Sequence, residues 1–344
     1  MHTDLIASVN TNDDDGLKRL LDAGRDVNER NEDGTTALIH AAYLGRNDAM
    51  NLLLDHGADT EISAELGGTY GTTALMYAAD QGQIDSVRLL LDRGAQIDAQ
   101  DNNGNTALMR SFTGNGNDAV KVLVERGADV SLANEDGETA LWWAANDGDG
   151  SAVNILLDAG ADIDEANGLG GTPLIVAAAN HPMVVQILLD RGADVNAEDG
   201  TSQTALMVAA GVGGVESLKM LIDKGAQVGG SDSVGQTALM MAAESGSAPA
   251  VALLVSQGEP VDAQDMGGDT ALHFGARGHA ADVVRTLLAH GADTTIVNRR
   301  GGTPEDIAEG EAKTVLVAHR ERAMLSQVAG VTDEQEPVQR SRKM

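Results

Sequence analysis

Residues Gly71 to Gln100 read GTTALMYAADQGQIDSVRLLLDRGAQIDAQ, and this stretch decides the fold. Gly71 and Thr72 make a turn, and Thr73 opens a first helix, because a threonine hydroxyl can accept a bond from an N–H group that a helix start leaves unpaired. Leu75, Ala78 and Ala79 form the buried stripe of that helix. After Gly82 a second helix carries Ile84, Val87, Leu90 and Leu91 at spacings of three and four, which puts all four on one face. Gly94 ends it, since glycine adopts the left-handed closing conformation at least cost. The chain leaves through Ala95-Gln96-Ile97-Asp98 and starts again.

The restart defines the protein. The threonine of Thr-Ala-Leu, or of its variants, recurs at Thr36, Thr73, Thr106, Thr139, Thr172, Thr204, Thr237, Thr270 and Thr303, with successive differences of 37, 33, 33, 33, 32, 33, 33 and 33. Gly-Ala-Asp or Gly-Ala-Gln closes the second helix at Gly57, Gly94, Gly127, Gly160, Gly192, Gly225 and Gly291. A turn and two helices at this period resemble the ankyrin repeat, and the resemblance covers nearly the whole chain. It implies an all-α ankyrin-repeat solenoid of about ten helix-turn-helix repeats with short β-turn fingers. On this reading residues 1–30 are an N-terminal capping repeat, 31–298 hold eight repeats, 299–322 form a C-terminal capping repeat and 323–344 are a disordered tail.

An array has no single core, so the 344 residues count repeats rather than domains. Aromatics at 2% and 41 glycines suit thin units that bury small and aliphatic side chains between neighbours. The absence of cysteine excludes disulfides, cysteine zinc sites and thiol catalysis. No apolar run approaches the ~20 residues that span a bilayer. Met1-His2-Thr3-Asp4 lacks a basic segment leading into an apolar one, so a cytoplasmic location is expected, or a periplasmic or secreted one if a leader has been removed. A formal net charge of −30 opposes attraction to nucleic acids or anionic membranes. The acidity has two readings: solubility, with adaptation to salt, or steering of a partner with a basic surface.

Four places depart from the pattern. The spacing of 37 adds four residues within Ser63–Tyr70, an enlarged finger with Leu66 and Tyr70 expected at its surface, either as a contact site or as a tolerated insertion. The fourth repeat reads Met109-Arg110-Ser111-Phe112 where others end in two alanines, so local irregularity is expected there. Trp142-Trp143 are the only tryptophans, and adjacent helical residues point about 100° apart, so both cannot enter one seam. The resemblance places Trp142 where the family often has a histidine, facing the concave groove either as an apolar anchor or as a partly covered packing residue, and Trp143 at a core position. Met76, Met109, Met207 and Met240, with Ile39 and Ile175, also occupy that histidine position, and only His273 keeps it; the methionine row reads as packing or as an adaptable binding strip.

Catalytic spacing is missing: the chain contains no phosphate-binding glycine loop, no Gly-x-Ser-x-Gly and no His-Glu-x-x-His. No two of the eight histidines are three or four apart, so no helix face offers a histidine pair to a metal. Acidic turns such as Asp101–Gly104 and Asn134–Gly137 read as turn formers rather than calcium loops. The expectation is a non-enzymatic scaffold, monomeric by itself, with no cofactor and no metal, that binds another protein. By resemblance, contacts cluster just before the recurring threonine and just after the two alanines: Tyr70, Thr72, Asp80 and Gln81; Asn103, Asn105 and Thr113; Glu135, Asp136, Glu138, Asn146 and Asp147; with Trp142 as anchor. Two rivals stand beside it: an acidic inhibitor or immunity-type regulator of a basic partner enzyme, and a small-ligand or enzymatic site in the irregular fourth and fifth repeats.

Overall fold

The computed structural model describes residues 4–66, 69–112 and 117–333, grouped into two compact units, 1–200 and 201–344. Within the first unit six helix pairs follow one another: α1 (Asp4–Thr11) and α2 (Asp14–Asp22), α3 (Ala37–Leu44) and α4 (Asn47–Asp55), α5 (Ala74–Asp80) and α6 (Ile84–Asp92), α7 (Ala107–Arg110) and α8 (Asn117–Glu125), α9 (Ala140–Asp147) and α10 (Gly150–Asp158), α11 (Pro173–Ala177) and α12 (Pro182–Asp190). The second unit holds four: α13 (Ala205–Gly211) and α14 (Val215–Asp223), α15 (Ala238–Glu244) and α16 (Ala248–Ser256), α17 (Ala271–Arg277) and α18 (Ala281–Ala289), α19 (Pro304–Ile307) and α20 (Gly310–Asp333). The architecture is the all-α repeat read from the period.

From α3 onward each first helix starts where the threonine can cap it. Thr36, Thr106 and Thr139 accept from the N–H groups of Ile39, Met109 and Trp142 at 3.4, 3.3 and 3.2 Å. In both units first helices pack on first helices of the next repeat and second helices on second helices, giving two layers. Between the layers lie the repeat leucines, with Leu38, Leu75, Leu141 and Leu174 no more than 1% exposed. Full burial of each contributes roughly 1.5–3 kcal/mol. The methionine row belongs to this core, with Met76, Met109 and Met240 at 1% and Met207 at 3% exposure, which settles it as packing.

Aspartates connect the repeats. The backbone N–H of Asp59 donates to Asn28 Oδ1, that of Asp129 to Asp98 Oδ1 and that of Asp194 to Asp164 Oδ1, each at 2.9 Å, and Asp293 repeats the bond to Asp262 in the second unit. On the second helices of the first unit, cations reach back one repeat: Arg93 to Asp55 at 3.0 Å, Arg126 to Asp92 at 2.7 Å and Arg191 to Asp158 at 2.7 Å. Part of the acidity is therefore structural, a role that neither reading of the net charge included.

The irregular stretches take definite forms. The four added residues become an antiparallel ribbon, β1 (Ala64–Leu66) with β2 (Thr69–Thr72), pairing Ala64 with Thr72 and Leu66 with Thr69. The side chains of Leu66 and Tyr70 lie outside the described residues. In the fourth repeat α7 has four residues, against eight in α9, and Ser111 and Phe112, which replace the alanines of other repeats, are buried at 0% and 6% exposure. Helix α20 continues through residues 323–333, where the sequence was expected to leave the ordered chain, and 334–344 lie outside the described residues.

Candidate functional site

The fingers between repeats are built by one device. An Asn or Asp five residues before the threonine turns its side-chain oxygen back onto two backbone N–H groups. Asp101 Oδ1 accepts from Asn103 and Asn105 at 2.9 Å each, Asn134 Oδ1 from Asp136 and Glu138 at 3.0 and 2.9 Å, and Asn167 Oδ1 from Leu169 and Gly171 at 3.1 and 2.9 Å. These are the turn formers expected from the acidic turns. Successive fingers also bond through their backbones: Glu135 N–H to Asn103 O at 2.9 Å, Gly168 to Asp136 at 2.7 Å and Gly200 to Leu169 at 2.7 Å. Gly137, at φ +75°, permits this approach, since a Cβ there would sit 2.7 Å from the Gly168 nitrogen. The tips are thereby fixed before any partner arrives.

The expected contact residues divide on this frame. Asn103, Glu135 and Asp136 are exposed at the finger tips, Asn146 and Asp147 are exposed at the end of α9, and Asp80 and Gln81 are half-buried at the end of α5. The carboxylates of Glu135 and Asp136 accept no bond from any described residue. Asn105 and Glu138 are half-buried and tied together by Asn134 Nδ2, which donates to Asn105 Oδ1 and Glu138 Oε2 at 3.0 Å each. Thr72 is 2% exposed, with its hydroxyl oxygen buried and unpartnered, because the ribbon turns it inward; it presents no contact surface. Thr113 and the side chain of Tyr70 lie outside the described residues.

Trp142 does not stand free in a groove. Its indole N–H donates to Gly171 O of the next repeat at 3.1 Å, and its ring lies edge-on to Trp143 at 5.7 Å. Both rings are half-buried, and the indole nitrogen of Trp143 is buried without a partner, so Trp143 is not the fully buried core residue expected. The fourth repeat's Arg110 is 9% exposed and spends its guanidinium on Asp101, donating from Nε to Oδ2 at 2.9 Å. Arg110 presents no charge to a ligand. Among the described residues no group of three or more His, Cys, Asp or Glu side chains is placed to hold a metal ion.

Sequence reasoning missed the exposed apolar residues, among them Leu169, Tyr43, Leu44, Met183, Val212, Val234 and Met266. Leu169, 79% exposed, occupies the finger position held by Asp33, Asn103 and Asp136 in other repeats. Tyr43 and Leu44, each 38% exposed, end α3 at the positions of Asp80-Gln81 and Asn146-Asp147. Comparing the repeats column by column would have shown Leu169, Tyr43 and Leu44 as apolar residues in largely polar columns, with Val234 sharing the column of Leu169 and Val212 that of Leu44. Tyr43 lies edge-on to Tyr77 at 6.2 Å, which carries an aromatic contact from α3 to α5.

Charge is unevenly divided. Residues 1–200 carry 11 Lys and Arg against 35 Asp and Glu, whereas 201–344 carry 12 against 18. Among the shifted groups of the second unit are Glu259 and His273. Burial pushes the Glu259 carboxyl up, against bonds from the Leu239 N–H at 2.9 Å and from Thr237, and leaves its second oxygen unpartnered. Burial also pushes His273 down; its Nδ1 accepts from the Thr270 N–H at 3.1 Å, so the remaining proton on Nε2 donates to Gly302 O at 3.2 Å.

Fold and surface together define a helical tandem-repeat protein that presents pre-set finger tips. The family profile of ankyrin repeats in three copies matches residues 5–101, 94–167, 111–199, 146–232 and 206–298. The chain belongs to the ankyrin-repeat family, whose repeats are protein-interaction modules and in general non-enzymatic. Over 65 residues it is 40% identical to serine/threonine-protein kinase 12 of Arabidopsis thaliana, a stretch covering 19% of this chain and 14% of that protein. Among the described residues no helix is long and apolar enough to cross a membrane.

Proposed function

We propose that this chain is a non-enzymatic scaffold that binds a partner protein through the finger tips and first-helix ends of residues 1–200. One observation carries the reading: the finger of Glu135 and Asp136 is held from both sides by backbone bonds, to Asn103 O and from the Gly168 N–H, yet Asn103, Glu135 and Asp136 leave their side chains exposed. A pre-set surface avoids most of the ordering cost of association. The test is capture of the native partner by the full chain carrying Asn103→Lys and Asp147→Lys. Loss of capture with unchanged melting supports the reading, and undiminished capture refutes it.

The acidic-regulator reading draws support from the charge division, with 35 of the 53 carboxylates in the first unit. It differs in requiring the partner to be a basic enzyme whose activity falls on binding. A ligand site in the fourth and fifth repeats has less to draw on, because Arg110 is already occupied by Asp101.

A further inference from the structure

Leu169 sits in the most one-sided charge environment of the sequence. Between Arg126 and Arg191 the chain has no lysine or arginine, and it has eleven acids: Asp129, Glu135, Asp136, Glu138, Asp147, Asp149, Asp158, Asp162, Asp164, Glu165 and Asp190. The two flanking cations are spent on the second-helix layer, Arg126 on Asp92 and Arg191 on Asp158, both at 2.7 Å. Their charge is therefore withheld from the finger side. There, Leu169 is 79% exposed on a tip bonded to the neighbouring tip through Gly168 N–H and Asp136 O at 2.7 Å. Glu135 and Asp136 flank it with carboxylates that accept nothing from the described residues.

An exposed leucine on a fixed backbone is stabilised when a partner covers it, and carboxylates without cations attract a positively charged covering. We infer that the occupant of this surface is a cationic segment of a partner protein that seats one apolar side chain on Leu169 and sets Lys or Arg against Glu135 and Asp136. This rests on the docking reading above and gives it a partner chemistry. Neither element suffices alone: acids alone would hold any polycation, and the leucine selects among them.

The probe is a short lysine-rich peptide with one central leucine, compared with its serine counterpart by calorimetry on the full chain. The leucine peptide is expected to bind roughly tenfold more tightly. Its affinity falls as NaCl rises from about 50 to about 500 mM, because the charges lie at the surface. Leu169→Asp gives the decisive sign. It adds a negative charge, so diffuse attraction predicts equal or tighter binding, whereas a seat on Leu169 predicts roughly tenfold weaker binding and loss of the preference for leucine. Glu135→Gln with Asp136→Asn weakens both peptides, and Asp14→Asn with Asp15→Asn in α2, removing the same charge, changes neither. Equal binding of the two peptides, or a Leu169→Asp variant that binds as tightly as the parent, overturns the inference. The docking reading fails separately. If Asn103→Lys and Asp147→Lys abolish capture of a partner that has no cationic segment, docking stands and the cationic assignment falls.

Discussion

Trp142 donates its indole N–H to the carbonyl oxygen of Gly171, 29 residues on, and His273 spans the same separation to Gly302. The two residues occupy one position in their repeats, so tryptophan reproduces the forward bond of the histidine it replaces. Met76 keeps the backward half instead, accepting the Thr73 N–H on its sulfur at 3.5 Å. The position is a joint between repeats, filled by different chemistries.

Trp142 should therefore matter to folding, as a packing residue would and a free anchor would not. Trp142→Phe removes the N–H and leaves the Gly171 carbonyl without that donor, at a cost of about 1 kcal/mol. Trp142→Ala also removes a half-buried ring, and about 2–3 kcal/mol is expected. Denaturant titration at neutral pH reads both. An unchanged midpoint for Trp142→Phe would show that the bond contributes nothing.

The Asp101–Arg110 pair offers a cleaner test of a buried charge. Asn31, Asn134 and Asn167 stand at the position of Asp101, so Asp101→Asn should keep the finger bonds while removing the charge. It removes the carboxylate charge beside Arg110, which is 9% exposed, and should cost about 3 kcal/mol, as removal of one partner of a buried pair does. Adding Arg110→Leu should recover most of that loss. If the double variant is no more stable than Asp101→Asn, the guanidinium is better solvated than its burial indicates.

The repeat itself was legible because its signals are local. Thr36, Thr139 and Thr172 cap through their own hydroxyls, and Gly94 and Gly160 close helices through their own φ, so each reads directly from sequence. Contact residues were less legible because their exposure depends on the neighbour. Thr72 turns inward only because β1 pairs with β2, and Asn105 and Glu138 are held by Asn134 from a different repeat for the former. For Trp142 the sequence could place the ring on a face but could not decide whether Gly171 or a partner receives its N–H. Leu169 was readable from its column; its significance comes from the empty stretch of cations around it.

Two glycines with similar backbone angles should respond differently to alanine. Gly160, at φ +94°, has nothing within 4 Å of an added Cβ, so Gly160→Ala meets only left-handed strain, about 1–2 kcal/mol. Gly137, at φ +75°, adds a backbone clash at 2.7 Å with Gly168. Gly137→Ala should cost at least about 1 kcal/mol more and speed amide exchange at Gly168, whose N–H bonds Asp136 O. Equal costs would mean that the fingers yield without loss.

Glu259 gives the pH test. It stands where other repeats have alanine, as in Gly94-Ala95, and is 3% exposed. Burial raises its folded pKa above the ordinary 4.5, so over that interval the folded chain keeps a proton that the unfolded chain has released. Fewer protons bound in the unfolded state means stability falls as pH rises from 4.5 through the raised value, then levels off. His273 acts at the other sign: its pKa is lowered from 6.5, so the unfolded chain takes the proton first and stability falls as pH drops below that value. Glu259→Gln retains an oxygen for the Leu239 N–H and cannot ionise, so its advantage over the parent should grow with pH above 4.5 while the His273 limb is unchanged. Thermal melts of both proteins across pH 4 to 8 measure the difference, with the interval set by the pKa values of the two groups. A constant offset between the two curves would mean that Glu259 titrates alike in both states, and its buried second oxygen must then reach solvent.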